Sequence, residues 1–223
     1  MNGKEAARAR VRQIARESLE RGDPTGWFER VYATAQGEAR AIPWADLRPE
    51  PNLMEWVERE RLRGAGRRAL VVGCGLGDDA EDLARLGFEV VAFDISPTAI
   101  EWCRRRFPGS RVRYVVADLL AAPEAWDGAF DFVLEAFTVQ VLRGELRRQA
   151  IERVARFVAP GGALLVIARG REPEDDPGSM PWPLTKDDLA GFERAGLMEA
   201  RFEDYLDQHV NPPVRRFRVE YRG

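Results

Sequence analysis

The stretch from Ala69 to Ile100, ALVVGCGLGDDAEDLARLGFEVVAFDISPTAI, limits the fold of this chain more than any other. An apolar run, Ala69 to Val72, reads as a buried parallel strand. It breaks into Gly73-Cys74-Gly75-Leu76-Gly77. A helix pattern follows, with Leu83 and Leu86 on one face and Asp78, Asp79, Glu81 and Asp82 in its first turns. A second apolar strand, Phe88 to Phe93, ends on Asp94. Strand, glycine turn, helix, strand and acid, in that order, form the half-fold that holds an adenine nucleoside.

The alternation continues. Further strands are expected at Val112–Val116, Phe130–Leu134 and Ala163–Ala168, and helices at about Asp78–Leu86, Pro97–Phe107 and Glu145–Val158. Such alternation builds βαβ units and a parallel sheet covered on both faces. Pro160-Gly161-Gly162 is expected to stop a helix and turn the chain into the fifth strand. The acidic, Pro-rich segment Arg169 to Leu184 has the length of a lid or binding loop. Thr185, with Asp188 three residues on, is a candidate N-cap for a helix over Lys186–Ala195. Met198–Leu206 and Val214–Tyr221 alternate like a hairpin that closes the sheet edge.

Ahead of the glycine turn, residues 4–21 form an amphipathic pattern with Val11, Ile14, Ala15 and Leu19 on one stripe. A turn over Gly22–Gly26 leads to helical spacing at Trp27–Ala35, a polar link Gln36–Pro51 and a helix Leu53–Leu62. The expected fold is therefore α/β: a Rossmann-like, doubly wound seven-stranded sheet. Five strands are parallel, a C-terminal antiparallel hairpin completes the sheet, and an N-terminal helical cap lies over it. The cap is assigned to residues 1–63 and the main domain to residues 64–223.

Composition narrows the partners. The formal net charge of −3 over 223 residues argues against a nucleic-acid partner. No run approaches the roughly 20 apolar residues of a membrane span. Cys74 and Cys103 are too few for a disulfide framework, which points to a reduced cytoplasm. Arg104-Arg105-Arg106, at the end of a helix, reads as a solvated face.

The turn itself separates ligands. Dinucleotide sites space their glycines as GxGxxG and aim a helix N-terminus at a pyrophosphate. Here the spacing is GxGxG, and Asp78 stands in the third place. Asp78, Asp79, Glu81 and Asp82 oppose a pyrophosphate and suit a ligand that carries an ammonium and a sulfonium. Part of that charge also serves the helix dipole. Asp94 suits ribose hydroxyls in either case.

These residues resemble those of the class I S-adenosylmethionine-dependent methyltransferases. VVGCGLGDD is similar to that family's glycine motif, covering Gly73, Cys74, Gly75, Gly77 and Asp78, and Asp94-Ile95 to its ribose-binding acid. Ala117-Asp118-Leu119 is similar to the segment whose acid meets the adenine amino group. Phe130 to Glu135 resembles strand four, and Ala159-Pro160-Gly161-Gly162 the turn before strand five. The flanks resemble the thiopurine, thiol and halide methyltransferase group: Ile42-Pro43-Trp44, Phe137 to Leu142 with Glu145-Leu146-Arg147, and Pro183 to Leu189. The resemblance implies S-adenosyl-L-methionine as cofactor, S-adenosyl-L-homocysteine as product, and Trp44 at the cofactor's methionine end.

Methyl transfer is an in-line displacement in which the sulfonium leaves as a neutral thioether, so departure needs no acid. A thiolate or halide needs no strong base, whereas an amine, phenol or carbon acid calls for one. Glu135, after strand four, is a candidate for the cofactor's amino group or for a substrate. His209, the only histidine, sits in an expected turn. Trp27, Phe28 and Tyr32 form a stripe that reads either as cap core or as cover for the site. Phe28, Tyr32, Trp44 and Trp182 are the substrate-wall candidates. Cys74 is expected only to pack, and Asn211-Pro212-Pro213 to be a hairpin turn, not an adenine-methylating motif. No metal is expected. The leading expectation is a small-molecule methyltransferase acting at sulfur or halide, monomeric or homodimeric. The alternatives are oxygen, nitrogen or carbon methylation on the same fold, and a non-catalytic S-adenosylmethionine-binding protein.

Overall fold

The computed structural model describes residues 3–223; Met1 and Asn2, where the expected cap begins, lie outside the described residues. Five strands run parallel: β1 (Arg68–Val72), β2 (Glu89–Asp94), β3 (Arg113–Val116), β4 (Phe130–Ala136) and β5 (Val158–Arg169). The strands β6 (Met198–Asp207) and β7 (Val214–Arg222) form an antiparallel hairpin, and β7 pairs antiparallel with β5. The order across the sheet is β3-β2-β1-β4-β5-β7-β6. Winding reverses between β1 and β4, so a crevice opens there beyond the strands' carboxyl ends.

The helices are α1 (Gly3–Glu20), α2 (Trp27–Thr34), α3 (Pro51–Arg59), α4 (Asp78–Arg85), α5 (Pro97–Arg106), α6 (Gly144–Arg156) and α7 (Lys186–Arg194). Apolar residues of α3, α4 and α5 pack on one face of the sheet, where Trp56 stacks on Phe132 at 5.6 Å. Ile151 and Val154 of α6 and Leu189 and Phe192 of α7 cover the other face. A third cluster joins Val11, Ile14 and Ala15 of α1, Trp27, Val31 and Tyr32 of α2, and Leu76, Ala99 and Trp102 of the nucleoside unit. Thus α2 lies on α5 and α1 packs on α2, whereas α3 belongs to the sheet's own helix layer.

Two expected boundaries move. The helix before β5 ends at Arg156, and Pro160-Gly161-Gly162 does not end it. Strand β5 starts at Val158, and its register against β4 jumps from Phe130↔Val158 to Phe132↔Ala163. The Pro-Gly-Gly sequence is thus an irregularity within a strand, with Gly162 packed against the backbone carbonyls of Phe130 and Asp131. Helix α3 begins at Pro51, with the Glu50 side chain accepting from the Asn52 backbone N–H. Pro at the first helical position loses no hydrogen bond. The Thr185–Asp188 capping box forms as expected.

Candidate functional site

Strand β1 ends at Val72, which lies opposite Phe93 of β2 and Glu135 of β4. The glycine turn therefore starts level with the acid-bearing ends of both neighbours. Gly73 has φ +61, and a Cβ there would meet Thr138 Oγ1 at 2.3 Å. Gly77 has φ +88, and a Cβ would meet Tyr114 Oη at 2.6 Å and Cys103 Sγ at 3.1 Å. Both positions demand glycine for backbone hand and for room. The Cys103 thiol donates to the Gly75 carbonyl at 3.2 Å, and the Cys74 N–H donates to the Phe93 carbonyl at 2.8 Å. Cys103, Tyr114 and Thr138 thus form the support of the turn. Nothing in the sequence singles them out, because they reach the turn from α5, β3 and the segment after β4.

Asp94 is buried at the end of β2. One of its oxygens accepts from the Gly75 N–H at 3.0 Å and the other from the Ser96 N–H at 2.9 Å. Burial outweighs these bonds and raises its pKa to about 6. Ile95 follows, half-buried. Asp118, half-buried after β3, accepts from the Leu120 N–H at 2.9 Å, and Leu119 is in the core. Glu135 is fully buried. Its Oε1 accepts from the Thr138 and Val139 N–H groups at 2.7 and 2.8 Å, while Oε2 has no partner. Burial pushes Glu135 to about 7.

The acids that open α4 are engaged, which corrects the charge argument made from their sequence alone. Asp78 forms a bidentate pair with Arg106, both contacts 2.8 Å. Asp79 accepts from the Glu50 N–H at 2.7 Å, and burial lifts it to about 7. Glu81 accepts from Tyr114 Oη at 2.7 Å and also from Ser110. Asp82 pairs with Arg85. These carboxylates hold the turn to its neighbours, and arginines offset the charges of Asp78 and Asp82. Of the arginine cluster, Arg104 and Arg105 are exposed as expected, Arg104 donating to the Tyr114 carbonyl at 2.8 Å, whereas Arg106 is half-buried and also donates to the Leu76 carbonyl.

The first helices reach the same turn. Tyr32 is buried, and a Cβ on Gly75 would sit 3.3 Å from its hydroxyl. That hydroxyl accepts from Trp44 Nε1 at 2.9 Å. Burial and the Asp94 carboxylate push the Tyr32 phenol far up, so it stays neutral. Trp27 is core, and Phe28 stacks on it at 3.7 Å, half-buried. The stripe is thus core at Trp27 and Tyr32 and partly open at Phe28. Trp44 is 43% exposed. Glu29 was not among the sequence candidates, yet it docks α2: its carboxylate accepts from Ser96 Oγ and Thr98 Oγ1, both at 2.6 Å, and from the Thr98 N–H at 3.1 Å. A carboxylate thereby covers the N-terminus of α5.

The 169–184 segment closes on itself through backbone bonds between Arg169 and Leu184 and between Arg171 and Leu184. Trp182, half-buried, donates its N–H to the Gln140 carbonyl at 2.9 Å, which ties the loop to the turn after β4. His209 lies in the β6–β7 turn and bonds Glu55 of α3 at 2.8 Å, away from the glycine turn. Cys74 is half-buried within the turn.

A methyltransferase domain model matches residues 69–162, the span from β1 to the Pro-Gly-Gly irregularity. This span is a class I methyltransferase domain. The methyl donor of that class is S-adenosylmethionine. The chain is 28% identical over 170 residues to the 2-heptyl-1-hydroxyquinolin-4(1H)-one methyltransferase of Mycobacteroides abscessus, covering 73% of this chain and 72% of the relative. It is 30% identical over 132 residues to a probable thiol methyltransferase of Arabidopsis thaliana, covering 58% of each. The fold is shared with the protein solved in work on conversion of a disulfide bond into a thioacetal group during echinomycin biosynthesis. There the TM-score is 0.69 at 22% identity, over 86% of this chain and 90% of the other. Among the described residues no helix is long and apolar enough to cross a membrane.

Proposed function

We propose that this methyltransferase moves the methyl group of S-adenosylmethionine to a sulfur atom of a small molecule, with halide as the other soft acceptor. The observation that carries the reading is that neither candidate base is left over for an acceptor, since the one unpartnered oxygen of Glu135 is taken up by the ammonium of the donor. His209 is bonded to Glu55, and one oxygen of Glu135 is held by two backbone N–H groups. A thiolate needs neither. The likeness to a probable thiol methyltransferase supports the same choice.

The carboxyl edge fits the donor. Glu135 Oε2 is an orphaned buried acceptor beside Gly73, suited to an ammonium. Asp94 is the acceptor for ribose hydroxyls and Asp118 for the adenine amino group, with Ile95 and Leu119 as apolar contacts. Gly73, Cys74, Gly75, Gly77 and Asp78 bring backbone close to the ligand. The donor supplies an electrophilic methyl on a sulfonium. Phe28, Tyr32, Trp44 and Trp182 line the reaction space, exclude water and hold the acceptor in line, which is where most of the acceleration arises. Of the first 63 residues, helices α1 and α2 and the link to Pro51 act as the cap, while α3 stays with the sheet. The protein works in the cytoplasm as a monomer or homodimer.

A second reading, methylation at oxygen, is favoured by the hydroxyquinolinone named for one relative and by the pKa of Glu135 near 7, which suits proton removal from a phenol. A panel of thiols, thiopurines, iodide and phenols, read as S-adenosylhomocysteine formed, separates the two. Turnover confined to phenols overturns sulfur.

A further inference from the structure

Arg169 ends β5 and lies directly opposite Arg216 of β7 in the antiparallel register. Residues opposite one another in such a pair place their side chains on the same face, and like charges there destabilise the sheet. Arg216 is paired, though its charge still reaches Arg169. Its Nε donates to the buried Asp207 carboxylate at 3.1 Å, and its guanidinium lies 4.7 Å from the centre of the Phe137 ring. Arg169 is not neutralised. It is half-buried, and among the described residues its guanidinium has no carboxylate partner. Burial and the charges of Arg216 and Arg8 all pull its pKa down. A desolvated cation facing further cations is costly to keep unless an anion joins it.

The place is informative. The Phe137 N–H donates to the Ile167 carbonyl at 2.9 Å, so Arg169 stands two residues beyond the point where the chain leaves β4. Its own N–H donates to Gln140 Oε1 at 2.9 Å, and the Gln140 carbonyl holds the Trp182 N–H at 2.9 Å. Arg169 thus lies between Phe137 and the loop tryptophan, beyond Glu135 on the side away from the glycine turn. That is the acceptor side of the proposed site, and the inference rests on that reading.

We propose that Arg169, supported by Arg216 and Arg8, binds a carboxylate carried by the methyl acceptor, whose apolar part lies along Phe137 and Trp182. The acceptor is then an anionic small molecule, and Arg169 sets specificity without touching the methyl group. A guanidinium matches a carboxylate bidentately, and its low hydration suits a half-buried site.

The test uses 4-mercaptobenzoate and 4-mercaptobenzamide, titrated calorimetrically into the full chain saturated with S-adenosylhomocysteine. Wild type binds the carboxylate about ten- to a hundredfold more tightly than the amide, the value of one charge-assisted contact. That preference shrinks at high salt, a result that needs no variant. Arg169→Gln abolishes the preference while leaving the dissociation constants of the amide and of S-adenosylhomocysteine unchanged, and Arg169→Lys restores part of it. Equal binding of the two probes to wild type, no detectable binding of the carboxylate, or equal loss of both in Arg169→Gln overturns the proposal. Preferred binding of 4-mercaptobenzoate without methylation, together with methylation of 4-hydroxybenzoate, overturns the sulfur reading alone.

Discussion

The unpartnered oxygen of Glu135 belongs to a set of three carboxylates whose burial sets how the molecule responds to pH. Asp79, Asp94 and Glu135 are raised to about 7, 6 and 7 from ordinary values of 3.8, 3.8 and 4.5. Each holds a proton in the native state that the unfolded chain has released. Their contribution is full below the unfolded values and is lost as pH rises through about 7. The unliganded protein should therefore melt at a higher temperature at pH 5.5 than at pH 7.5 in a scanning measurement, and Glu135→Gln should flatten part of that slope. A bound donor reverses the preference, because ribose hydroxyls and an ammonium favour ionised Asp94 and Glu135. Affinity for S-adenosylhomocysteine should fall as pH drops below about 6, with proton release visible by calorimetry in buffers of different ionisation enthalpy. Gly77→Ala tests the turn. Its Cβ would lie 2.6 Å from Tyr114 Oη at φ +88, so a loss of about 1–3 kcal/mol is expected in urea unfolding. The need for glycine at Gly75 and Gly77 was legible as a motif. The need for Cys103 and Tyr114 was not, since side chains that support a turn from two other elements have no local signature.

At the scale of elements, the strands and helices of the nucleoside unit lie within a few residues of where hydrophobic period and caps put them, because each is set by neighbours in sequence. The docking of α2 on α5 is a different matter. Glu29 receives three hydrogen bonds from Ser96 and Thr98, some seventy positions away, between 2.6 and 3.1 Å. Burial works against its charge, yet those bonds leave its pKa below the ordinary value. A glutamate in the first turn of a short helix looks from sequence like a dipole partner of its own helix. Glu29→Ala should leave the sheet intact and loosen α2, costing about 1–3 kcal/mol in urea unfolding through the unsatisfied α5 N-terminus. It should also lower the pKa of Asp94, since Glu29's charge helps raise it; titration followed by nuclear magnetic resonance reads that shift. The arginine run shows the same limit. Arg106, expected in solvent, binds Asp78 because the end of α5 passes beside the start of α4.

Across the whole molecule, helices α1 and α2, the link carrying Trp44, and the 169–184 loop all meet the carboxyl edge of one sheet. Helices α1 and α2 are anchored by their buried cluster, whereas the link and the loop have few buried contacts there, among them the Trp44–Tyr32 and Trp182–Gln140 bonds. Segments with few buried contacts open at low cost. Limited proteolysis should therefore cut the link and the loop more slowly with S-adenosylhomocysteine present; equal rates would show that neither closes over the ligand. By itself the sequence determined the strand order's nucleoside half, the glycine turn and the acids at the strand ends, because these follow from local period and spacing within about a hundred residues, and the resemblance those motifs carry implied the class of methyl donor. Only the tertiary structure decided which acids keep their charge available and which arginines do. Pairing of Asp78 with Arg106, docking of Glu29 on α5 and the uncompensated Arg169 opposite Arg216 depend on long-range register, and no local pattern encodes which distant charge a side chain will meet.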